Sequence, residues 1–496
     1  MIKRSAGILL PIFSLPSNYG VGTLGKEAYK FVDFLKDAKQ SYWQILPIGP
    51  TQYGDSPYST YSIYAGNPYF IDLDLLKEDG LLTNKDLKIV KNSSNTKVNY
   101  AKLSKTRNIL LHTAYRNGFK KYKSSYDAFC RKNKKWLDDY ALYMSLREYF
   151  KCLSWNEWPD RKIKLRDKSA IRKYSKLLED EIKYYKFTQF LFFKQFFKLR
   201  SYMKKKKIKL IGDVPIYVPL DSSDVWVNPK CFKLTSTFVP KEVSGCPPDS
   251  FNKSGQLWGN PIYNFAYQKK NGYKWWLERI KGASEIYDVI RIDHFRGFDS
   301  FWSVKYGKPT ARSGKWIKGP GMDLLGKIKT KFKNIEFIEE DLGFITDSVE
   351  KLVKDFGYPN MNVLVFGFDS REKRSYIPHS YKENSVCYTG THDNQTLMGF
   401  YKKGKRREVN KCIKYFNIKG NFAEAVIRGG METNSVLFIA QMQDYLGLDD
   451  KARINVPGTV NCNWFWRMKK GAYDKVLAKK IRNLTTLYGR GSNRRI

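Results

Sequence analysis

Three short stretches of the chain place acidic side chains directly after apolar, strand-forming residues. In the first, Val289–Phe298, Arg291 and Asp293 project from the same face, because side chains alternate along a strand. An adjacent guanidinium lowers the pKa of a carboxylate and fixes its orientation. An ionised, firmly held aspartate can act as the nucleophile in glycoside chemistry. The alternative that this spacing leaves open is a buried structural ion pair.

The second stretch, Phe337–Gly343, ends in three consecutive acids, Glu339, Glu340 and Asp341. Such a cluster is costly unless it is solvated or used. Two carboxylates on neighbouring strand ends can lie about 5–5.5 Å apart, the spacing at which one attacks the anomeric carbon and the other protonates the leaving oxygen. The residue types alone do not choose among the three acids, and a surface-exposed acidic turn is the alternative.

The third stretch, Tyr388–Thr396, contains His392 and Asp393. His392 can donate hydrogen bonds to sugar hydroxyls, and Asp393 can accept them and favour distortion of the sugar ring. The chain contains only 4 histidines, and two of them, His294 and His392, stand beside these acids. A single histidine is more often structural, but this placement favours a functional site.

These acids need a scaffold that brings several strand ends together. Eight apolar or β-branched runs, most of them separated by stretches long enough for a helix, are typical of parallel strands that close into a (β/α)₈ barrel. The runs are Ala6–Leu10, Tyr42–Ile48, Ile208–Val214, Asp288–His294, Ile335–Leu342, Met361–Phe366, Ser385–His392 and Ser435–Tyr445. The last run is also compatible with a helix over part of its length. Active sites of such barrels form at the C-terminal ends of the strands, where Asp293 is predicted to lie.

Two gaps between these runs are too long for simple crossovers. Residues 75–207 predict a mainly helical insertion followed by a crossover helix, and Glu179–Lys207 in particular has apolar residues at helical spacing. Residues 221–285 are rich in Pro, Gly, Trp and Asn, which predicts an irregular lid inserted after the third strand. We therefore expect residues 1–496 to form one α/β TIM-barrel domain with insertions on its C-terminal face and no separate C-terminal β domain.

The composition narrows the classes of function. The formal net charge is +41, but the basic residues are spread along the chain, which favours a diffusely basic enzyme surface over a specific nucleic-acid site. An aromatic fraction of 16% suits both a core and sugar binding. The 7 cysteines are scattered without a C-x-x-C pair, which favours a reducing compartment such as the cytoplasm. We find no metal-ligand cluster, no nucleotide motif and no apolar run near the roughly 20 residues of a membrane span, and the sequence does not define an oligomeric state.

In these contexts and in this order, Asp293, Glu340 and Asp393 resemble the catalytic triad of the α-amylase clan. Within that clan the chain is most similar to the 4-α-glucanotransferase family (amylomaltases and disproportionating enzymes), over nearly its whole length. The further motifs that carry the resemblance are Gly54–Tyr58, Ala65–Pro68, Ile211–Pro215, Pro247–Asp249, Gly255–Pro261 and Arg453–Gly458. Each motif is a weak signal alone, but the full set in one order is highly specific.

The resemblance implies that Asp293 is the nucleophile, Glu340 the general acid/base and Asp393 the transition-state stabiliser. It also implies a set of substrate-binding residues, namely Tyr58, Asp213, Asp249, Trp258, Arg291, His294 and His392. For Tyr58 and Trp258, packing beneath a loop is the alternative. The implied partners are maltooligosaccharides and α-1,4-glucans, and no cofactor or metal is implied.

One segment departs from the family pattern. Thr459–Trp464 lacks the more acidic, Gly-containing loop that relatives usually have before Asn463-Trp464, which puts the loop's part in acceptor binding in doubt. Two other functions stay open at this point. A plain α-glucan hydrolase would use the same three acids, whereas a non-catalytic basic binding protein would have no need of them.

Overall fold

The computed structural model describes residues 2–90, 96–248, 253–369, 376–459 and 463–491. Within these ranges the strands are β1 (Ser5–Leu9), β2 (Tyr42–Gln44), β3 (Lys209–Val214), β4 (Glu242–Cys246), β5 (Gln256–Pro261), β6 (Val289–Ile292), β7 (Ser300–Lys305), β8 (Gly314–Lys318), β9 (Glu336–Glu339), β10 (Asn360–Val363), β11 (Ser385–Tyr388) and β12 (Leu437–Gln441). Eight of them close a barrel in the order β1-β2-β3-β6-β9-β10-β11-β12, and every pairing in it is parallel.

The α-helices within the same ranges are α1 (Lys26–Asp37), α2 (Leu73–Glu78), α3 (Tyr100–Gly118), α4 (Lys123–Tyr149), α5 (Arg161–Lys164), α6 (Lys168–Leu177), α7 (Glu179–Lys206), α8 (Ser223–Val227), α9 (Phe265–Lys270), α10 (Lys274–Ile286), α11 (Met322–Lys331), α12 (Asp347–Phe356), α13 (Leu397–Lys403), α14 (Arg406–Tyr415), α15 (Phe422–Glu432), α16 (Met442–Tyr445) and α17 (Lys475–Leu487). Short 3₁₀ helices occupy Ile12–Ser14, Pro68–Phe70, Asp86–Val90, Trp155–Glu157, Pro229–Cys231, Phe295–Phe298, Leu364–Phe368, Pro378–Ser380 and Asp450–Ala452.

Each of the eight predicted runs overlaps one barrel strand, which confirms the (β/α)₈ prediction. The last run divides into a strand, β12, and a short helix, α16. Alternate residues of the strands fill the barrel interior, where Leu9, Ile211, Val289 and Ile338 belong to one buried apolar cluster. Their neighbours along the strands face the surrounding helices, so a barrel strand buried on both faces needs the continuous apolar run seen in the sequence.

The segment 75–207 contains α3 to α7, in addition to the end of α2. The prediction of a helix over Glu179–Lys207 is confirmed by α7, which ends one residue earlier and leads into β3. Its apolar face packs against α4, for example in the contact between Phe193 and Trp136, whose ring centroids lie 5.9 Å apart. This helical layer therefore lies between the second and third barrel strands in the chain.

The segment 221–285 differs from its prediction. It contains β4, β5 and α8 to α10, and α10 is the helix that leads directly into β6, so the description of this segment as irregular is wrong. Moreover, β4 and β5 pair with β7 and β8, beyond the predicted boundary, in an antiparallel sheet of order β5-β4-β7-β8. The sheet escapes prediction because β5 and β8 are half-exposed and lack a continuous apolar run.

None of the helices that the structure describes is long and apolar enough to cross a membrane. In the same ranges, no three His, Cys, Asp or Glu side chains are grouped in a way that could hold a metal ion.

Candidate active site

The central ion pairs of the site lie at the end of β6. Arg291 Nη1 donates to both carboxylate oxygens of Asp213, at 2.7 and 2.6 Å, and to Asp293 Oδ1 at 3.0 Å. Arg291 and Asp213 are almost fully buried, whereas the Asp293 side chain is 27% exposed. The guanidinium therefore bridges an interior carboxylate and one that faces the open mouth of the barrel.

The next strand end resolves the choice among the three consecutive acids. Glu339, the last residue of β9, accepts a hydrogen bond from the Tyr358 amide, and Asp341 accepts one from the Met361 amide. Both side chains thus bind backbone that borders β10. The Glu340 carboxyl instead accepts from the amide of His294, at 2.6 Å, which places it beside the end of β6. Glu340 is therefore the acid that shares a site with Asp293.

The backbone after β6 is shaped to hold Glu340. His294 has a left-handed conformation, with φ of 52°, which is uncommon for a residue other than glycine. This turn presents the His294 amide to Glu340 Oε2, while the Leu342 amide donates to Oε1 at 2.9 Å. Both carboxylate oxygens are thus oriented by backbone donors.

The two facing carboxyls differ in acidity. Burial raises the pKa of Asp293 to about 6 although Arg291 lowers it, and burial raises the pKa of Glu340 to about 8, with the negative charge of Asp293 adding to the rise. The expected effect of Arg291 is therefore present, but burial outweighs it. Because the two groups interact, their protons leave in two steps that belong to the pair. At neutral pH the pair holds one proton, which lies mainly on Glu340.

Asp393 has a different environment after β11. Asn455 Nδ2 donates to its Oδ1 at 2.6 Å, His392 Nε2 lies 3.2 Å from the same oxygen, and Arg453 binds its backbone carbonyl. Burial would raise the pKa of Asp393, but His392 and the hydrogen bond from Asn455 together lower it to about 2. Its side chain remains 42% exposed, so a charged acceptor is held open to the barrel mouth.

Aromatic rings surround these acids. Tyr58 donates to Asp213 Oδ2 at 2.6 Å and stacks on His392, with ring centroids 4.9 Å apart. Trp258 meets His294 edge to face at 4.8 Å and is 37% exposed. Flat apolar ring faces beside charged acceptors suit the alternating C–H faces and hydroxyls of a pyranose. The arrangement can therefore cleave and remake a bond at a sugar's anomeric carbon.

Comparison with known proteins is consistent with this geometry. A family model for 4-alpha-glucanotransferase matches residues 10–473. The chain belongs to the 4-α-glucanotransferase family. It is 47% identical to the 4-alpha-glucanotransferase of Clostridium butyricum, over 97% of this chain and 99% of that protein, and 44% identical to the Streptococcus pneumoniae enzyme, over 99% and 98%.

Solved structures agree with this assignment. An amylomaltase from Streptococcus agalactiae, solved in complex with acarbose, superimposes with a TM-score of 0.96 at 39% identity, covering 99% of this chain and all of that one. An amylomaltase from Corynebacterium glutamicum shares the fold with a TM-score of 0.77 at 16% identity, covering 98% of this chain and 74% of that one. As a member of the 4-α-glucanotransferase family, the chain is an enzyme, a transferase that acts on α-1,4-glucans, and not a non-catalytic binding protein.

The structure brings together most of the residues that the sequence suggested for this glucanotransferase site. One connected set of hydrogen bonds and ion pairs joins Tyr58, Asp213, Arg291, Asp293, His392 and Asp393. His294, the next residue in the chain after Asp293, holds Glu340 and packs against Trp258 on the rim. Asp249 lies outside the described residues. So do residues 460–462 of the unusual loop, although Trp464, which follows it, lies 5.9 Å from the His392 ring.

The sequence did not identify two residues of this glucanotransferase site as functional groups. Asn455 and Arg453 belong to a motif that carried the family resemblance, but neither was given a role. The structure shows that both bind Asp393, through its side chain and its backbone respectively. A polar residue after the last barrel strand is itself a signal, since all strand ends meet at this mouth.

Proposed function

We propose that this transferase moves α-1,4-glucan segments to the 4-hydroxyl of glucose or a maltodextrin acceptor, with Asp293, Glu340 and Asp393 as its catalytic residues. The observation that carries the assignment is the unequal pair at the ends of β6 and β9. Asp293 is mainly ionised at neutral pH and Glu340 mainly protonated, which matches the nucleophile and the general acid of a retaining mechanism.

The reaction proceeds in two balanced steps. Asp293 attacks the anomeric carbon, the glycosidic C–O bond breaks, and the proton of Glu340 passes to the leaving oxygen. The acceptor's 4-hydroxyl then gives its proton back to Glu340 and displaces Asp293 from the anomeric carbon. Two displacements at one carbon retain its configuration. The bond made is of the same kind as the bond broken, so the reaction needs no cofactor and no energy source.

The surrounding residues have supporting roles in this proposal. Asp393, held ionised, accepts hydrogen bonds from the distorted sugar and stabilises the positive charge of the transition state. Arg291, which is held by Asp213 in the barrel interior, orients Asp293. His294, His392, Tyr58 and Trp258 contact the sugar at the cleaved bond, and Asp249 is assigned to the glucan groove by the family resemblance alone.

The insertions complete the proposed enzyme. We assign residues 1–496 to one decorated catalytic domain, in which 75–207 is a helical insertion and 221–285 contributes a lid. The strand β5, with Trp258 at its centre, carries a ring that lies against His294. A covered acceptor site favours transfer to sugar over transfer to water. The free thiols of Cys130, Cys152 and Cys231 are consistent with a cytoplasmic location.

The test is incubation of the purified protein with maltotriose, followed by separation of the products by size. Disproportionation yields glucose together with maltopentaose and longer chains. Glucose and maltose alone would assign the same barrel and the same acids to a hydrolase instead. A protein that leaves maltotriose and longer maltodextrins unchanged would contradict the proposal.

A further inference from the structure

A second cavity lies outside the barrel mouth, between the helical insertion and the helices that flank β6. Its volume is about 730 Å³, and its walls come mainly from α4, α7, α8, α9 and α10. This is the size range of sites that bind small molecules. None of the residues assigned above to catalysis or substrate binding lines it, so it is distinct from the active site.

Aromatic side chains form much of the wall. Trp136 from α4, Tyr267 from α9 and Trp275 from α10 line the cavity, together with Tyr64 and Phe129. The rings of Tyr64 and Trp136 are nearly parallel, with an interplanar angle of 22° and centroids 6.2 Å apart. All of these rings except the buried Trp275 are partly exposed, and ring faces of this kind can cover the apolar C–H faces of sugars.

Polar groups are placed among these rings. Gln268 is 1% exposed, its Nε2 donates to the Cys231 carbonyl at 3.0 Å, and its Oε1 has no hydrogen-bond partner within the described residues. A buried acceptor without a partner is unfavourable and is satisfied when a donor enters. The amides of Asn133, Asn228 and Asn271 also line the cavity. The wall therefore presents several groups suited to hydroxyls.

The charges of the lining nearly balance, in contrast to the rest of the chain. Four lysines, Lys132, Lys135, Lys274 and Lys281, are nearly matched by four acids, Asp139, Asp224, Glu278 and Glu285, of which Asp224 is only partly ionised at neutral pH because burial raises its pKa to about 7. Asp139 forms an ion pair with Arg166 and Glu278 lies near Lys135. In a protein with a net charge of +41, this neutral lining does not favour an anionic ligand.

We propose that this cavity is a second, non-catalytic binding site for a short neutral segment of α-1,4-glucan. Aromatic faces, amides and an unpaired buried acceptor in a neutral cavity match an uncharged, hydroxyl-rich ligand. The identity of the sugar rests on the proposed function. A long glucan held here raises its own concentration at the active site, whereas maltotriose, bound wholly at the active site, gains nothing.

The cavity is close to the catalytic centre through one chain segment. Ser62 and Tyr64 line it and also line a narrower cavity of about 50 Å³, whose walls include Tyr58 and Asp213. A glucan in the larger cavity therefore contacts the same segment that carries Tyr58. The site is placed to hold the substrate near the barrel mouth without entering it.

The test compares Trp136→Ala with Tyr149→Ala, a control that removes an exposed ring from the same helix outside the cavity. We expect Trp136→Ala to raise the KM for amylose about tenfold and to leave kcat and KM for maltotriose unchanged. Tyr149→Ala should leave kcat and KM unchanged for both amylose and maltotriose. A second variant, Asn271→Phe, places a large side chain at an exposed position of the cavity lining and is expected to raise the KM for amylose as well. It tests the site independently if Trp136→Ala does not fold.

A binding measurement completes the test. In the Asp293→Asn background, equilibrium dialysis with maltoheptaose is expected to show two classes of site, of which Asn271→Phe removes one. A single class in the unblocked protein, or an unchanged KM for amylose in both cavity variants, would overturn the inference while maltotriose transfer stays intact. Binding of glucose phosphate, but not of maltoheptaose, at a site that Asn271→Phe removes would assign the cavity to an anionic ligand and would also overturn the inference. Failure of the proposed function is distinguishable, because the unmodified protein would then leave maltotriose unchanged.

Discussion

Glu340 and Asp393 are carboxyl groups at the same barrel mouth, yet their surroundings move their acidities in opposite directions. Burial and the neighbouring charge of Asp293 raise the pKa of Glu340 to about 8. Asp393 receives a hydrogen bond from Asn455 and lies beside His392, and its pKa falls to about 2. Glu340 accepts from backbone amides, but these do not offset its burial. The difference shows how one fold gives two like groups opposite protonation states at neutral pH.

Asp293 stands between these two cases. Arg291 lowers its pKa, but the same guanidinium makes two hydrogen bonds to Asp213 and only one to Asp293. Asp213 therefore weakens the effect of Arg291 on Asp293, and burial leaves the pKa of Asp293 raised to about 6. A pKa between those of Asp393 and Glu340 keeps Asp293 mainly charged at neutral pH, as its proposed role of nucleophile requires.

The largest effect is expected from Asp293→Asn, which keeps the shape of the side chain but removes the proposed nucleophile. Transfer between maltodextrins should fall roughly 10⁴-fold or more, because no covalent intermediate can form. The melting temperature should stay close to that of the unmodified protein. Near-normal transfer by the folded variant would show that another group attacks the sugar.

Glu340→Gln is expected to lower kcat by about 10²–10⁴-fold, the usual contribution of a general acid. The pH profile tests separately the acidities of Glu340 and Asp293. The proposed mechanism needs Glu340 protonated and Asp293 ionised, so kcat/KM for maltotriose should decline above about pH 8 and below about pH 6. Glu340→Gln should abolish the alkaline decline and keep the acidic one. An alkaline decline that persists in the variant would assign it to a different group.

Asp213→Asn tests how the hydrogen bonds of Arg291 are divided between Asp213 and Asp293. Loss of one charge from this buried pair leaves Arg291 without its interior partner, which should destabilise the fold by about 3 kcal/mol. Removal of the Asp213 charge also lowers the pKa of Asp293, since that charge now raises it. The acidic decline of kcat/KM should therefore shift to lower pH. A shift to higher pH would show that Asp213 supports the ionisation of Asp293.

Asn455→Ala should have the smallest effect, about a tenfold lower kcat, because it removes one hydrogen bond from Asp393. The pKa of Asp393 should rise from about 2 towards its ordinary value, which is still below the assay pH. The loss should therefore not depend on pH between 6 and 8. A new acidic limit within that range would mean that Asn455 supplies most of the difference between Asp393 and Glu340.

The strands of the barrel could be read from the sequence because each is buried on both faces and appears as an apolar run. The sheet formed by β4, β5, β7 and β8 could not, since β5 and β8 are partly exposed and their pairing joins distant segments. In the site, the order of acids was readable. The choice of Glu340 over Glu339 came from the family resemblance and not from the residue types, because it depends on where β9 ends and on the His294 amide.

The most direct test of the account is to trap the covalent intermediate. The unmodified enzyme is incubated with 5-fluoro-α-glucosyl fluoride, which forms the glycosyl-enzyme quickly and releases it slowly, and the labelled peptide is located by mass spectrometry. We predict one 5-fluoroglucosyl unit, attached with loss of the anomeric fluoride, on the carboxylate of Asp293 and none in the Asp293→Asn variant. A label on Glu340 or Asp393 instead would contradict the assignment of nucleophile and acid on which the proposed mechanism rests.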